Sequence, residues 1–103
     1  YEEVFGPAVN LYPVDDLDEA LEKANSVNYG LHAAGFSNDV KVCHRMAKGL
    51  DCGSVILNDS TDYRLDSMPF GGVNNSGLGR EGIKFSLQEM TEPKVICWYL
   101  PGV

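Results

Sequence analysis

The sequence predicts an α/β fold with a β-α-β-α-β parallel core, followed by a long loop, a C-terminal helix and a final strand. Three apolar runs, at 8–14, 29–36 and 53–58, alternate with two segments in which apolar residues recur at helical spacing. Strands that are separated by helices of this length usually lie parallel and are joined by right-handed crossovers. The five core elements are therefore expected before residue 59.

The first strand and helix are predicted from a proline, a capping residue and an apolar stripe. The run 8–14 predicts a strand that ends at Pro13, because proline cannot donate to a sheet. Asp15 or Asp16 is suited to cap the next helix, since a carboxylate accepts from the first N–H groups of a helix. From Leu17 onward, apolar residues recur at helical spacing and form one stripe.

The next three elements have similar signals. Residues 29–36 predict a strand, and Ser37 or Asn38 is expected to cap the helix whose inner stripe starts at Val40. The run 53–58 is rich in β-branched residues, which are typical of strands. These elements complete the predicted β-α-β-α-β order.

The regular pattern ends after this third strand. Residues 59–80 show no hydrophobic period, and a loop of about 20 residues in a compact domain is usually functional or disordered. Residues 79–90 predict a third helix, and residues 93–100 predict a last strand. Because an exposed apolar strand pairs readily with other strands, a partner subunit is the expected cover.

Composition and charge are those of a soluble globular protein. Hydrophobic residues make up 44% of the chain and charged residues 22%. No run of about 18 apolar residues is visible, and neither is a charged-then-apolar leader, so no membrane helix or secretory signal is predicted. The net charge of -7 repels nucleic-acid phosphates, so no nucleic-acid partner is expected.

The cysteines indicate neither a disulfide framework nor a metal site. The chain has 3 Cys and 2 His, and no C-x-x-C pair. An odd cysteine count without a secretory signal favours reduced thiols, from which a cytoplasmic location is expected. The sequence starts at Tyr1 rather than at Met, which we take as a hint that it is a piece of a longer polypeptide.

One glycine motif raises the question of a cofactor site. Gly77, Gly79 and Gly82 have the G-x-G-x-x-G spacing of a dinucleotide-binding turn. Such a turn follows a strand and needs an acidic residue about 20 positions later, whereas here a loop leads in and no acid follows at that distance. The favoured interpretation is that these glycines permit positive φ and close backbone contacts. A stand-alone nucleotide-binding domain is the weakest alternative.

Five segments occur in an order that is found in a known family. They are EEVFGP (2–7), ANSVNYGLHAAGFSND (24–39), GSVILND (53–59), PFGGVNNSGLGREG (69–82) and MTEPKVI (90–96). In sequence and in order they resemble the C-terminal region of NAD(P)-dependent aldehyde dehydrogenases, and the resemblance extends over all 103 residues.

The resemblance implies an enzyme that oxidises a small aldehyde to the carboxylic acid with NAD or NADP. In that family the cysteine nucleophile and the general-base glutamate lie upstream of the matched region. Cys43, Cys52 and Cys97 are therefore not expected to be the nucleophile, and this chain is expected to be inactive alone. Residues 1–92 would belong to the catalytic domain. Residues 93–103 would form the oligomerisation strand and tail of a homo-oligomer, either a dimer or a tetramer.

The resemblance also assigns binding roles. Glu3 matches the glutamate that hydrogen-bonds the nicotinamide ribose, and a carboxylate is able to accept from two neighbouring hydroxyls. Phe5 matches the aromatic residue beside that ribose. The segment 59–70 matches the wall of the aldehyde entrance, where Tyr63 and Phe70 are expected to line the substrate pocket. For Glu3 and Phe5 the alternatives are a solvated acid and a core aromatic.

Arg64 lies in the variable part of the same wall. A guanidinium there could hold a carboxylate or phosphate of the substrate by a bidentate contact, so the aldehyde is expected to be small and polar or anionic. The alternative is a surface ion pair of Arg64 with Asp62 or Asp66.

The sequence departs from the family pattern at four positions: Gly35, His44, Cys52 and Asn74. Asn74 stands where the family usually has Lys, and Gly35 leaves a gap where a branched residue is usual. A second function remains open, in which a truncated chain acts as an interaction module that associates with itself or with a full-length subunit.

Overall fold

The fold was obtained as a computed structural model that describes residues 2–102. These residues form three helices and four strands. In chain order the elements are α1 (Leu17–Asn25), β1 (Tyr29–Gly30), β2 (His32–Gly35), α2 (Val40–Gly49), β3 (Ser54–Leu57), β4 (Val73–Asn74) and α3 (Ile83–Glu89). Within 2–102 no helix is both long enough and apolar enough to cross a membrane.

The strands form two separate pairs. β2 and β3 are parallel, in a register that runs from His32 opposite Ser54 to Gly35 opposite Leu57, and α2 connects them. This β2-α2-β3 unit confirms the α/β class. β1 pairs antiparallel with β4, which lies inside the predicted 59–80 loop. The single strand predicted at 29–36 is therefore wrong, because the chain changes partners at Leu31.

α1 begins at the predicted cap. The Glu19 N–H donates to the Asp16 carboxylate at 2.9 Å, and the Glu19 carboxylate accepts from the Asp15 N–H at 2.8 Å. A hydrogen bond from Lys23, together with the one from Asp15, lowers the pKa of Glu19. Asp16 and Glu19 each satisfy a backbone N–H at the start of this helix, in an arrangement close to a capping box in which Glu19 accepts from Asp15 rather than from the cap residue.

The start of α2 differs from the prediction. Asp39, rather than Ser37 or Asn38, is the cap, because its carboxylate accepts from the Lys41 N–H at 2.7 Å. Ser37 acts one step earlier, where its hydroxyl accepts from the Asp39 N–H at 3.1 Å. The ionised carboxylate also interacts favourably with the positive end of the helix dipole.

The Asn25 side chain joins the ends of the two helices. Its amide donates to the Gly49 carbonyl at 2.6 Å, and its oxygen accepts from the Asp51 N–H at 2.9 Å. One side chain thus satisfies the last turn of α2 and fixes the entry to β3.

The core of the described residues is small. Its buried apolar side chains are Met46 from α2 and Ile56 from β3. A Cβ on Gly35 would lie 2.5 Å from the Met46 sulfur, so Met46 fills the space that a branched residue would occupy. The absence of a side chain at Gly35 on β2 is therefore compensated by the long, flexible side chain of Met46 on α2.

For two other departures from the family pattern, the structure shows the backbone conformation or the contact that the residue has. Asn74 has a φ of 54°, in the left-handed region that Asn tolerates better than most residues. Cys52 is half-buried and donates from its thiol to the Ser54 carbonyl at 3.1 Å. Nothing in the structure explains His44, which is exposed.

The strands predicted at 8–14 and 93–100 do not form within residues 2–102. Both segments lie outside helix and strand, and Leu11 and Val95 are 88% and 86% exposed. A strand needs a neighbour for its N–H and C=O groups, and within residues 2–102 neither segment has a backbone hydrogen bond to another segment. The Cα radius of gyration is accordingly 19.6 Å, compared with about 13 Å for a compact domain of this length.

Candidate functional site

The glycine-rich segment 71–79 is arranged around the Arg80 side chain. Its Nη1 group donates to the carbonyl oxygens of Gly72 at 2.9 Å and Gly79 at 2.6 Å. The Ser76 hydroxyl accepts from the Gly30 N–H at 2.8 Å and thereby attaches the segment to β1. The Arg80 Nη1 group, the two carbonyl oxygens and the Ser76 hydroxyl therefore already have hydrogen-bond partners within the fold.

The glycines serve backbone conformation, as predicted. Gly77, Gly79 and Gly82 have φ values of 127°, 70° and 111°, which L-residues rarely adopt. A Cβ on Gly53 would overlap the Gly71 carbonyl oxygen. The chain crossings around this segment therefore require residues without side chains.

Phe70 and Glu81 hold the two ends of this segment together. The Phe70 N–H donates to the Glu81 carbonyl at 3.1 Å, and the Glu81 N–H donates to the Phe70 carbonyl at 2.6 Å. Phe70 is half-buried, and it lines a hollow of about 480 Å³ together with Glu81 and Arg80. The predicted pocket aromatic is thus fixed by its own backbone.

Arg64 lies against Phe70. Its guanidinium carbon is 4.1 Å from the centroid of the Phe70 ring, and its Nη2 donates to the Glu81 carboxylate at 3.1 Å. Arg64 thus forms a surface ion pair, as in the alternative interpretation, but its partner is Glu81 rather than Asp62 or Asp66. One face of the guanidinium rests on an aromatic ring and one N–H is engaged, which leaves further N–H donors for another acceptor.

Tyr63 lies on the same segment. Its backbone N–H donates to the Ser60 carbonyl at 3.2 Å in a local turn, and the residue is 43% exposed. The structure therefore brings Arg64 and Phe70 into contact, whereas for Tyr63 it shows only a place on the same wall.

Glu3 and Phe5 lie near the start of the sequence, before α1, whereas the wall segment 59–70 follows β3. Phe5 is 93% exposed, so within the described residues it is not a core aromatic. Glu3 is exposed and borders a hollow of about 340 Å³. Its lining also includes Asn25, Tyr29, His32 and Asp51. Because two acidic residues and no Lys or Arg border it, this hollow suits a hydroxyl-bearing group rather than a phosphate.

His32 and Glu81 are site residues that sequence reasoning missed. His32 borders the Glu3 hollow, and its ring centroid lies 5.0 Å from that of Phe70 at an interplanar angle of 83°. Its Nδ1 is 2.8 Å from the Thr61 carbonyl oxygen. No sequence signal could have found these contacts, since residues 29 and 17 positions apart meet only through the fold.

Cys43 and Cys52 have the surroundings of structural thiols. Burial raises the pKa of the Cys52 thiol, which opposes thiolate formation. The Cys43 thiol donates to the Ser37 carbonyl at 3.5 Å, and Cys97 is exposed. Among residues 2–102 no group of three or more His, Cys, Asp or Glu side chains is placed to hold a metal ion.

Comparisons with known proteins agree on one family. A sequence model described as "Aldehyde dehydrogenase family" matches residues 1–96. The lactaldehyde dehydrogenase of Methanococcus aeolicus is 47% identical over 94 residues, which make up 91% of this chain and 20% of that protein. The chain spans about one fifth of the length of the curated relatives that it matches.

Solved structures of the family are similar as well. Aldehyde dehydrogenase 21 from Physcomitrella patens, in complex with the reaction product succinate, has a TM-score of 0.89 and 40% identity over 98% of this chain and 21% of that chain. Glyceraldehyde-3-phosphate dehydrogenase GapN from Methanocaldococcus jannaschii, complexed with NADP, has a TM-score of 0.69 and 51% identity over 71% of this chain and 16% of that chain. An NAD+ complex of a Bacillus cereus aldehyde dehydrogenase reaches a TM-score of 0.83 at 40% identity, over 88% of this chain and 18% of that chain. With a family match over nearly its whole length and these structural neighbours, the chain belongs to the aldehyde dehydrogenase family.

Proposed function

We propose that this chain is the C-terminal part of the catalytic domain of an NAD(P)-dependent aldehyde dehydrogenase that oxidises a small, polar or anionic aldehyde to the carboxylic acid. The family match over residues 1–96 carries the reaction type. The substrate class rests on the Arg64 guanidinium, which packs on the Phe70 ring and has N–H donors left after its bond to Glu81. Residues 1–92 would belong to the catalytic domain, and a cytoplasmic location stays a prediction.

The cofactor-binding proposal rests on Glu3 and Phe5. The exposed Glu3 carboxylate borders a hollow without basic residues, which fits two ribose hydroxyls as hydrogen-bond donors. The exposed Phe5 ring is available to pack beside that sugar. NAD or NADP would supply the hydride acceptor, and structural neighbours named with a nucleotide carry NADP or NAD+.

The substrate proposal rests on Arg64, Phe70 and Tyr63 as the wall of the aldehyde pocket. A guanidinium has five N–H donors, and within residues 2–102 the Arg64 guanidinium donates one hydrogen bond, to Glu81. The remaining donors match the paired oxygens of a carboxylate or phosphate. Two neighbours are named with such groups, namely succinate and glyceraldehyde-3-phosphate, while the lactaldehyde enzyme is named with a neutral aldehyde.

The chemistry itself would be done by residues outside this chain. Cys52 has a raised pKa and Cys43 hydrogen-bonds to a backbone carbonyl, so neither has the surroundings of an activated nucleophile. We therefore expect the isolated chain to be inactive. Residues 93–103 would pair with a neighbouring subunit in a dimer or tetramer, and the run 8–14 would join the parallel core once a strand lies beside it.

Substrate charge recognition is tested with the natural polypeptide that carries this sequence. Arg64→Ala should lower kcat/KM for an acidic aldehyde by about 10- to 100-fold, because a charge-assisted hydrogen bond contributes about 1.5–3 kcal/mol. A neutral aldehyde of the same size should change by less than about threefold. Arg45→Ala is the matched control, since Arg45 is an exposed arginine on α2 that pairs with Asp18. Equal losses for both aldehydes would contradict the proposed substrate class.

An interaction module is the second candidate, and the exposed apolar segments at 8–14 and 93–100 favour it. The mass of the natural polypeptide separates the two functions, because the curated relatives are about five times as long as this chain. Sedimentation of the isolated chain, alone and with the longer polypeptide, measures association. A natural product of about 100 residues that associates and has no dehydrogenase activity would favour the module.

A further inference from the structure

The segment 59–70 carries the proposed substrate wall but has few bonds of its own. Within the segment, backbone hydrogen bonds close short turns, from Tyr63 to Ser60 and from Met68 to Leu65, and at its end Phe70 pairs with Glu81. Such turns shape a loop locally but do not fix its position relative to the strands. The contacts that connect this segment to the rest of the described chain therefore decide where the wall lies.

His32, the first residue of β2, makes two of these contacts. Its Nδ1 lies 2.8 Å from the Thr61 carbonyl oxygen, near the start of the segment. Its ring meets Phe70, the last residue of the segment, in an edge-to-face arrangement with centroids 5.0 Å apart. A single side chain on the parallel strand pair thus contacts both ends of the wall.

The first contact determines that the Nδ1 atom of His32 carries a proton. A carbonyl oxygen only accepts, so Nδ1 must carry a proton and donate to Thr61. This requirement is met by the Nδ1–H tautomer of the neutral ring and also by the charged ring. The hydrogen bond therefore persists whether or not Nε2 is protonated.

The second contact reaches the substrate side. Phe70 is touched by the His32 ring and lies under the Arg64 guanidinium, whose carbon is 4.1 Å from the Phe70 centroid. Since edge-to-face aromatic pairs have a preferred geometry, the position of the imidazole restricts the orientation of the Phe70 ring. The Phe70 face in turn supports the guanidinium.

We propose that His32 is a positioning residue that attaches the wall segment 59–70 to β2 and thereby holds Phe70 and Arg64 in place for the substrate. The proposal rests on the proposed function, since Arg64 is taken to bind the charged end of the aldehyde. The role is one of positioning, because the contacts of the His32 ring are with Thr61 and Phe70.

Three substitutions in the natural polypeptide separate the two contacts. In His32→Asn, the side-chain amide retains a donor near the Nδ1 position and loses the ring. In His32→Phe, the ring is retained and the donor is lost, whereas His32→Ala loses both. His44→Ala is the control, because His44 is an exposed histidine on α2.

Hydrogen exchange of the amides in 59–70 measures the attachment without reference to catalysis. In His32→Ala these amides should exchange about 10-fold faster, since one hydrogen bond and one aromatic contact are lost. His32→Asn and His32→Phe should each give a smaller increase, and His44→Ala should give none. Unchanged exchange in His32→Ala would overturn the proposal.

Kinetics then tests the link to the substrate. His32→Ala should raise KM for an acidic aldehyde about fivefold while kcat stays within about twofold, and the increase should vanish in an Arg64→Ala background. Equal loss of kcat for acidic and neutral aldehydes, or full additivity with Arg64→Ala, would overturn the positioning role. If Arg64→Ala alone weakens both aldehydes equally, the proposed substrate class is wrong, and the exchange experiment still decides whether His32 holds the wall.

Discussion

The packed unit from α1 to β3 and the two flanking segments, 2–14 and 91–102, belong to the same chain but differ in what stabilises them. The unit contains two helices that are each capped by an aspartate side chain, the parallel strand pair β2 and β3, and the buried residues Met46 and Ile56. The flanking segments contain no helix or strand, and their apolar side chains are largely exposed. The difference teaches that the unit can be understood from its own residues, whereas the flanking segments need a surface that the described chain does not supply.

The exposed apolar residues of the flanking segments are too numerous for a free surface. Val9, Leu11, Ile96 and Trp98 are each at least 74% exposed. Large apolar side chains that are exposed in such numbers along a segment usually mark a contact with another part of a protein or with a partner. The chain also spans about one fifth of its curated relatives, which is in keeping with a need for further contacts.

The largest predicted effect comes from one substitution made in each region. Gly53→Ala should destabilise β3 by about 3 kcal/mol, because the new Cβ would overlap the Gly71 carbonyl and backbone cannot move aside cheaply. Gly6→Ala is the matched change in a flanking segment, where nothing lies within 4 Å of the new Cβ. Hydrogen exchange of the β2 and β3 amides in the natural polypeptide measures both. Similar effects for the two variants would contradict the distinction between the regions.

A smaller effect is expected at Gly35, because the space beside this glycine is filled by a side chain and not by backbone as at Gly53. Gly35→Val should cost about 2 kcal/mol of local stability, since its side chain would collide with the Met46 sulfur. Met46→Ala should cost about 2 kcal/mol by leaving a cavity. The double variant should cost at least about 1 kcal/mol less than the sum, because the new valine occupies the vacated space.

The matched control for this pair is Ala34→Val, on an exposed position of the same strand. It should change the opening free energy that hydrogen exchange reports for the β2 amides by less than about 0.5 kcal/mol. Additive costs for Gly35→Val and Met46→Ala would show that the two residues do not share one space.

The smallest predicted effect concerns the start of α1. Asp16→Ala should destabilise the helix by about 1 kcal/mol, because the Glu19 N–H loses its acceptor. Asp15→Ala should have less than half this effect, since only the backbone N–H of Asp15 takes part in the capping bonds. Exchange of the α1 amides compares the two variants, and equal losses would mean that Asp16 is not the cap.

Much of the packed unit could be predicted from sequence because its signals are local. The Asp16 cap and the apolar stripe after it place α1, and the β-branched run at 53–58 contains β3 (Ser54–Leu57). The errors occurred where two neighbouring signals competed. Ser37 and Asp39 are both good caps, and only the observed bond to Lys41 decides between them.

The rest depended on contacts between distant residues. The division of 29–36 into β1 and β2 is made by pairing with β4 and β3, which no local pattern reveals. For the site, sequence and family resemblance pointed to Arg64 and Phe70, and these residues are in contact. The partners Glu81 and His32 were missed because folding alone brings them to the wall.

Hydrogen exchange at 8–14 and 93–100 tests the central claim most directly, when it is measured in the isolated 103-residue chain and in the natural assembled protein. The β2 and β3 amides serve as the internal reference for a folded unit. We predict that both segments exchange freely in the isolated chain and become strongly protected in the assembled protein, because their strands find neighbours there. Equal exchange of these segments in the two samples, with the reference amides protected in both, would contradict the account.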